Sequence, residues 1–161
     1  MEEDNASAPP DRAHVVGTKS WIAYFGTLVL AALLFFGLLP VAFMWNEIAA
    51  GAVFIVSALV VGYRLLLLRS VQLYYDDVGV WAYSGVLPWK KGVSGVKWRD
   101  MDEATFEPGF WNWVTGSYTV RIGHRYTKGS EIVLTNIGRG KAAVTTLNAY
   151  QQELLRTNAI E

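Results

Sequence analysis

The sequence predicts an α+β protein: an N-terminal transmembrane helical hairpin, then an antiparallel β half-barrel or sandwich capped by a C-terminal α-helix. Three observations predict it. Trp21 to Leu68 is two long apolar runs parted by little more than Trp45-Asn46-Glu47, and its only charges are Glu47 and Arg64. From Ser70 onward the apolar residues alternate in short segments broken by turn residues, the period of half-buried strands. After Gly138-Arg139-Gly140-Lys141 the apolar spacing lengthens to three or four, the period of an amphipathic helix.

Composition narrows the classes. Of 161 residues 52% are hydrophobic and only 17% charged, below the usual soluble share of about 25%. Basic and acidic residues number 14 each, so no bulk charge points to nucleic acid, and no nucleic-acid partner is expected. Cysteine is absent, which excludes disulfides, thiolate chemistry and Cys-ligated zinc or iron–sulfur sites.

Residues 1–19 begin with Glu2-Glu3-Asp4, contain Pro9-Pro10 and show no apolar period, so they are expected to form a disordered cytoplasmic tail. The acidic start and the length of the following apolar run argue against a cleaved signal peptide. Residues 20–69 form the predicted hairpin. Trp21 to Phe43 is about 35 Å of helix at about 1.5 Å per residue, enough to cross a hydrocarbon core about 30 Å thick. Trp21, Tyr24 and Trp45 suit the two interfacial belts. Pro40 lies near a helix end, where it is tolerated and adds a kink. Ile48 to Tyr63 is uncharged, and Arg64 can snorkel to the headgroups while Leu65 to Leu68 finish the second span. Read instead as an intramembrane charge, Arg64 would mark an ion path. Ala58 and Gly62 form a small-xxx-small pair suited to close helix approach. The hairpin tip carries Glu47 and no Lys or Arg, whereas Lys19, Arg64 and Arg69 lie at the other end. The positive-inside rule then places both termini in the cytoplasm of a two-span protein of the cell (inner) membrane.

Residues 70–161 form the expected globular domain. Val71, Leu73 and Tyr75 alternate up to a turn at Asp76-Asp77-Val78-Gly79, and Val80 to Tyr83 is the next strand. Leu87 to Gly92 is a loop, followed by strands around Val96 to Arg99 and from Glu103 to Glu107. Ser117 to Gly123 alternates well; Thr127 to Ser130 is a turn, and Glu131 to Ile137 is the last strand. Val144, Leu147, Tyr150 or Gln151, and Leu154 then form the apolar stripe of the closing helix.

Three passages, VQLYYDDVGVWAYSG, VKWRDMDEATFEP and EIVLTNIGRGKAAVTTLNAYQQELL, carry a resemblance. In that order, after a two-helix hairpin, the chain resembles the membrane-anchored bacterial pleckstrin-homology-like proteins. The resemblance runs from Val71 to about Thr157 and lies in the ordered pattern, not in a signature residue. It implies two packed, strongly bent antiparallel sheets capped by the helix, and the role of an assembly, scaffolding or binding module that often self-associates. The first passage looks like the family's opening hairpin. Phosphoinositide-binding eukaryotic relatives place Lys and Arg at that hairpin; Asp76 and Asp77 here would repel phosphate.

Groups for chemistry are sparse. His14 and His124 are far apart in the chain and make no metal-ligand pattern. Asp100, Asp102, Glu103 and Glu107 fit a solvated face better than a carboxylate pair. Gly138 to Lys141 precedes a helix N-terminus but lacks the Ser or Thr that completes a nucleotide loop. No catalytic residue, cofactor or metal is therefore expected. The distinctive stretch is Pro108 to Gly116, where Phe110, Trp111 and Trp113 crowd between glycines. These rings either plug an open end of the barrel or dip into the bilayer interface or grip a partner. Trp89 with Lys90 and Lys91 is a second aromatic–basic cluster suited to anionic headgroups, with Arg64 and Arg69 at the same surface. The chain is expected to be a non-enzymatic membrane protein presenting its domain to a membrane or cytoplasmic protein, itself included. The alternative is a module that reads anionic lipids.

Overall fold

The computed structural model describes residues 13–87, 89, 91–126, 129 and 131–157. Its element order is β1 (His14–Thr18), a first long helix (Trp21–Trp45), a second (Glu47–Ser70, α3), then β2 (Gln72–Tyr75), β3 (Gly79–Ser84), β4 (Gly92–Lys97), β5 (Met101–Phe106), a short α4 (Phe110–Thr115), β6 (Ser117–His124), β7 (Ile132–Gly138) and α5 (Gly140–Arg156). The β domain and its closing helix thus follow the predicted α+β order, with one correction at the start. His14–Thr18, assigned to the tail, is the edge strand of the first sheet and pairs antiparallel with β2, Thr18 opposite Gln72 and His14 opposite Tyr75. Five residues with one Val-Val step carry too little alternation to announce a strand. Residues 1–12 of the expected tail lie outside the described residues.

The two long helices are therefore an insertion in the connection between adjacent strands. Paired strands lie about 4.8 Å apart, so the chain leaves the domain and re-enters it side by side. A cut at residue 70 would remove β1 from its sheet. The first antiparallel pair is β1–β2, not the Val71–Gly85 hairpin, which is the second.

The first long helix joins α1 (Trp21–Ala32) to α2 (Leu39–Trp45) through a π-helical segment, Leu33–Leu38. Pro40 has no N–H and its ring crowds the carbonyl of Phe36, so the ladder widens just before it. Asn46 ends α2 and starts α3: its backbone is extended and its Oδ1 accepts from the Ile48 N–H at 2.9 Å, with Glu47 in the first turn. The helices touch through Thr27, Ala42, Ala50 and Ser57, which are buried. The expected Ala58–Gly62 pair is not that contact: Ala58 is exposed, and a Cβ on Gly62 would meet nothing within 4 Å.

The strands form one sheet ordered β1-β2-β3-β4 and a second ordered β5-β6-β7. They meet where Lys19 bridges Ile137 and the Ser20 N–H donates to the Asn136 carbonyl at 2.8 Å. Leu73, Val80 and Val96 from one sheet, Met101, Val120 and Ile122 from the other, and Leu147 from α5 close the core, with Trp98 between. Trp98 ends β4 earlier than expected, at Lys97, because residues 98–100 turn the chain toward the second sheet. Asp76 fixes the β2–β3 turn, its Oδ1 accepting from the Val78 and Gly79 N–H groups, both at 2.9 Å.

Helix α5 packs against β5, β6 and β1 and is held by amides. Asn148 brackets Ala104 on the edge strand β5: its Oδ1 accepts from the Ala104 N–H at 3.0 Å and its Nδ2 donates to the Ala104 carbonyl at 2.9 Å. Gln151 donates to the Met101 carbonyl at 3.0 Å. Gly140 permits close approach at the start of α5, because a Cβ there would lie 2.8 Å from Tyr118 Cβ.

Candidate functional site

The strand ends sort the domain into two poles. Thr18 pairs with Gln72, Gln72 with Tyr83, Ser84 with Gly92, and Ser117 with Gly138, which gathers these residues at the pole from which the long helices leave. His14 with Tyr75, Gly79 with Lys97 and Met101 with His124 mark the distal pole.

Two side-chain hydrogen bonds tie the helix roots to the proximal pole. The Trp21 indole, at the start of α1, donates to the Thr115 carbonyl of α4 at 3.2 Å. The Ser70 hydroxyl, at the end of α3, donates to the Leu67 carbonyl at 2.8 Å and accepts from the Gly85 N–H at 3.1 Å. The first bond fixes the aromatic helix beside the departing chain, and the second fixes the β3–β4 connection beside the returning one.

Residues 108–116, expected as a loop, contain a helix. The Trp113 N–H donates to the Gly109 carbonyl at 2.9 Å, Asn112 Nδ2 donates to the Glu107 carbonyl at 2.9 Å, and Gly116 closes the helix in the left-handed region at φ 62°. Its rings do not plug the barrel. Phe110, Trp111 and Trp113 are 67%, 73% and 72% exposed, and Val114 is exposed beside them. In the second cluster Trp89 is 76% exposed and Lys91 is exposed, while Lys90 lies outside the described residues. Arg64 and Arg69 are exposed on α3, Arg69 in its last turn, where a cation complements the helix dipole. The described residues of both clusters and the two arginines thus belong to one pole.

Two cations there were not anticipated as site residues. Arg139 is exposed and left-handed at φ 57°, and its N–H donates to the Gly116 carbonyl at 3.3 Å. Lys141, in the first turn of α5, lines a cavity of 410 Å³ with Phe106, Pro108, Gly109, Phe110, Trp113 and Tyr118. The signal was the Gly138 to Lys141 run itself; what the sequence lacked was its proximity to α4. Lys19, at the same pole, donates to the carbonyl and Oγ1 of Thr135, and burial holds its pKa below the ordinary lysine value.

The distal pole is aromatic and carries both signs of charge, Asp76, Asp77 and Asp100 beside Lys97, Arg99 and Arg125. Tyr75, Trp98 and Tyr150 meet with ring centroids 5.0–6.0 Å apart, and His14 lies over Tyr75 at 5.4 Å. The Trp98 indole donates to the Asp76 carbonyl at 2.8 Å, and the Tyr150 hydroxyl donates to Asp77 Oδ1 at 3.3 Å. Burial, then the bond to Asp77, raises the Tyr150 pKa; burial, then the Asp76 charge, raises that of Tyr74. His124 Nδ1 accepts from the Tyr126 N–H at 3.2 Å. Among the described residues no three His, Asp or Glu side chains gather as a metal site.

No family model, curated protein or solved structure matches the chain. The two poles differ in kind: an aromatic and basic surface stands at the helix roots, and an aromatic cluster with mixed charge stands opposite.

Proposed function

We propose that this is a non-enzymatic, two-span protein of the cell (inner) membrane with both termini in the cytoplasm. Its β domain lies with the proximal pole on the anionic leaflet and offers its remaining surface for protein assembly, with a further copy of itself or another membrane or cytoplasmic protein as partner. The observation that carries this reading is the Trp21–Thr115 hydrogen bond, which holds three exposed aromatic rings at the root of a helix long and apolar enough to cross a membrane.

The long helices support the anchoring half. They have 25 and 24 residues, and only 11% and 6% of their most apolar windows is buried. A helix pair inside a soluble core would bury most of that surface. At about 1.5 Å per residue each reaches about 36 Å, and an acyl environment is the one in which such apolar surface is stable. The charge layout supports the orientation, since Arg64, Arg69, Lys91, Arg139 and Lys141 stand at the roots and Glu47 at the tip.

The assembly half rests on the fold. Seven strands in sheets of four and three with a closing helix match the pattern implied by the pleckstrin-homology-like resemblance, with the helical hairpin in the first strand connection. Asp76 and Asp77, which the resemblance sets where phosphate would sit, stand at the distal pole, away from the basic residues at the helix roots. The alternative of anionic-lipid sensing is favoured by the same basic and aromatic pole.

Reporter fusions and cross-linking test the proposal. A reporter at Asn46 is expected to be active only when exported, and one after residue 161 only in the cytoplasm. Single cysteines on the exposed distal surface, in a chain with none of its own, are expected to cross-link into adducts of defined mass in intact membranes. An exported C-terminal reporter refutes the orientation; a chain monomeric and unlinked at native abundance refutes assembly.

A further inference from the structure

We propose that the cavity between α4, the end of β5 and the first turn of α5 seats the glycerophosphate end of a single anionic phospholipid, with Lys141 on the phosphate. This deepens the proposed function and rests on its placement of the proximal pole at the leaflet.

Three features carry it. The cavity of 410 Å³ is of the size of small-molecule sites, about 300–1,000 Å³, and suits a headgroup and its first methylenes, not a whole lipid. Its walls are Phe106, Pro108, Phe110, Trp113 and Tyr118, with Lys141 the only charged side chain lining it among the described residues. That is the polarity of a lipid at the headgroup boundary: apolar surface for glycerol and upper acyl carbons, one cation for the phosphate. Second, its position is fixed beside the first long helix, because α4 accepts the Trp21 indole bond, so acyl chains leaving the cavity would run along α1.

Third, the charges nearby are arranged for an anion. Arg139 stands exposed two residues from Lys141, with its backbone bonded to Gly116 at the end of α4. The nearest carboxylate in sequence, Glu107, is engaged by Arg121 at 3.5 Å.

Native mass spectrometry of the full chain tests this, released from nanodiscs that contain equal phosphatidylglycerol and phosphatidylcholine of the same acyl length. The expected result is one retained phosphatidylglycerol per chain. Lys141→Gln should lower that preference by about fivefold, the factor for one basic contact to an anionic headgroup. Its thermal midpoint should stay at the wild-type value, and Lys97→Gln, at the distal pole, should leave retention unchanged. Equal retention of the two lipids, or an unchanged preference in Lys141→Gln, overturns the inference, as does full displacement by soluble glycerol 3-phosphate, which would make the ligand a free phosphate. A bimane label at position 111 separates the levels. Quenching by brominated lipid without headgroup preference leaves the membrane placement standing and refutes the lipid seat; absence of quenching refutes both.

Discussion

Replacing Asn148 by Ala should loosen the closing helix more than any other single exposed-face change on α5. The side chain satisfies both peptide groups of Ala104 on β5, at 3.0 and 2.9 Å, and Ala104 is 1% exposed. Removing the amide strands one donor and one acceptor, each costing about 1–3 kcal/mol when buried. The groove between β5 and α5, 540 Å³ and lined by both residues, gives water partial access, which places each cost near the low end. The expected sum is about 2–4 kcal/mol, since both groups need a substitute partner in the same groove. For a domain of this size 1 kcal/mol moves the midpoint by about 4–8 °C, so a fall of about 8–32 °C is expected in detergent-solubilised full chain. The buried Trp98 indole provides the near-ultraviolet signal. Asn148→Asp should fall comparably, because it keeps the acceptor for the Ala104 N–H but turns a carboxylate oxygen toward the Ala104 carbonyl. Gln152→Ala, exposed on the same groove, should change stability by less than about 0.5 kcal/mol. If Asn148→Ala lies as close to wild type as Gln152→Ala, the amide clamp does not hold α5 and the reasoning fails.

Further outcomes follow from the two poles. Arg139→Gly should stabilise the domain by about 1 kcal/mol by relieving the left-handed backbone, φ 57°; the thermal midpoint checks it. Gly79→Ala should cost about 1–3 kcal/mol, because its Cβ would sit 2.5 Å from the Val96 carbonyl oxygen and 2.9 Å from Lys97 Cα, prising β3 from β4; denaturant midpoints measure it. Tyr150→Phe should cost about 0.5 kcal/mol at neutral pH, the low end for a hydrogen bond to an exposed partner, and should flatten the alkaline loss of stability. The sign follows from linkage: the folded pKa of Tyr150 is raised, so its contribution is complete below the ordinary 10.0 and is lost as pH climbs through the folded value. Lys19 acts oppositely, its lowered pKa giving a contribution present above 10.5 and lost as pH falls. The wild-type minus Tyr150→Phe difference isolates the tyrosine.

Much of this architecture is legible in residue pattern because burial imposes a period. Val80 and Ala82 face the core with Trp81 between them facing out, and Val144, Leu147 and Gln151 make one stripe of α5. The edge strand β1 is invisible for the opposite reason: Val15 is exposed, Gly17 has no side chain, and its partner β2 lies 54 residues away by register, Thr18 to Gln72. The helix in residues 110–115 is also hidden, since three aromatics and a Val within five residues carry no helical stripe and their exposure removes any burial signal. Phe110, Trp111 and Trp113 could be named as unusual from sequence, but their use could not, because it depends on Trp21 reaching Thr115 across 94 residues. Lys141 was legible only as part of a Gly-rich turn; the second element of its cavity comes from α4. Short-range chemistry was readable, and the pairing of distant segments was not.

The placement of the proximal pole at the membrane is the claim on which the rest depends. Nitroxide labels at positions 111 and 77 of the reconstituted full chain, in vesicles containing anionic lipid, test it through collision with oxygen against a water-soluble nickel chelate. The expected result is a label at 111 that favours oxygen, at headgroup or upper acyl depth, and a label at 77 as accessible to nickel as one in bulk water. Equal nickel accessibility at both positions would contradict it, and the aromatic pole would then face the cytoplasm.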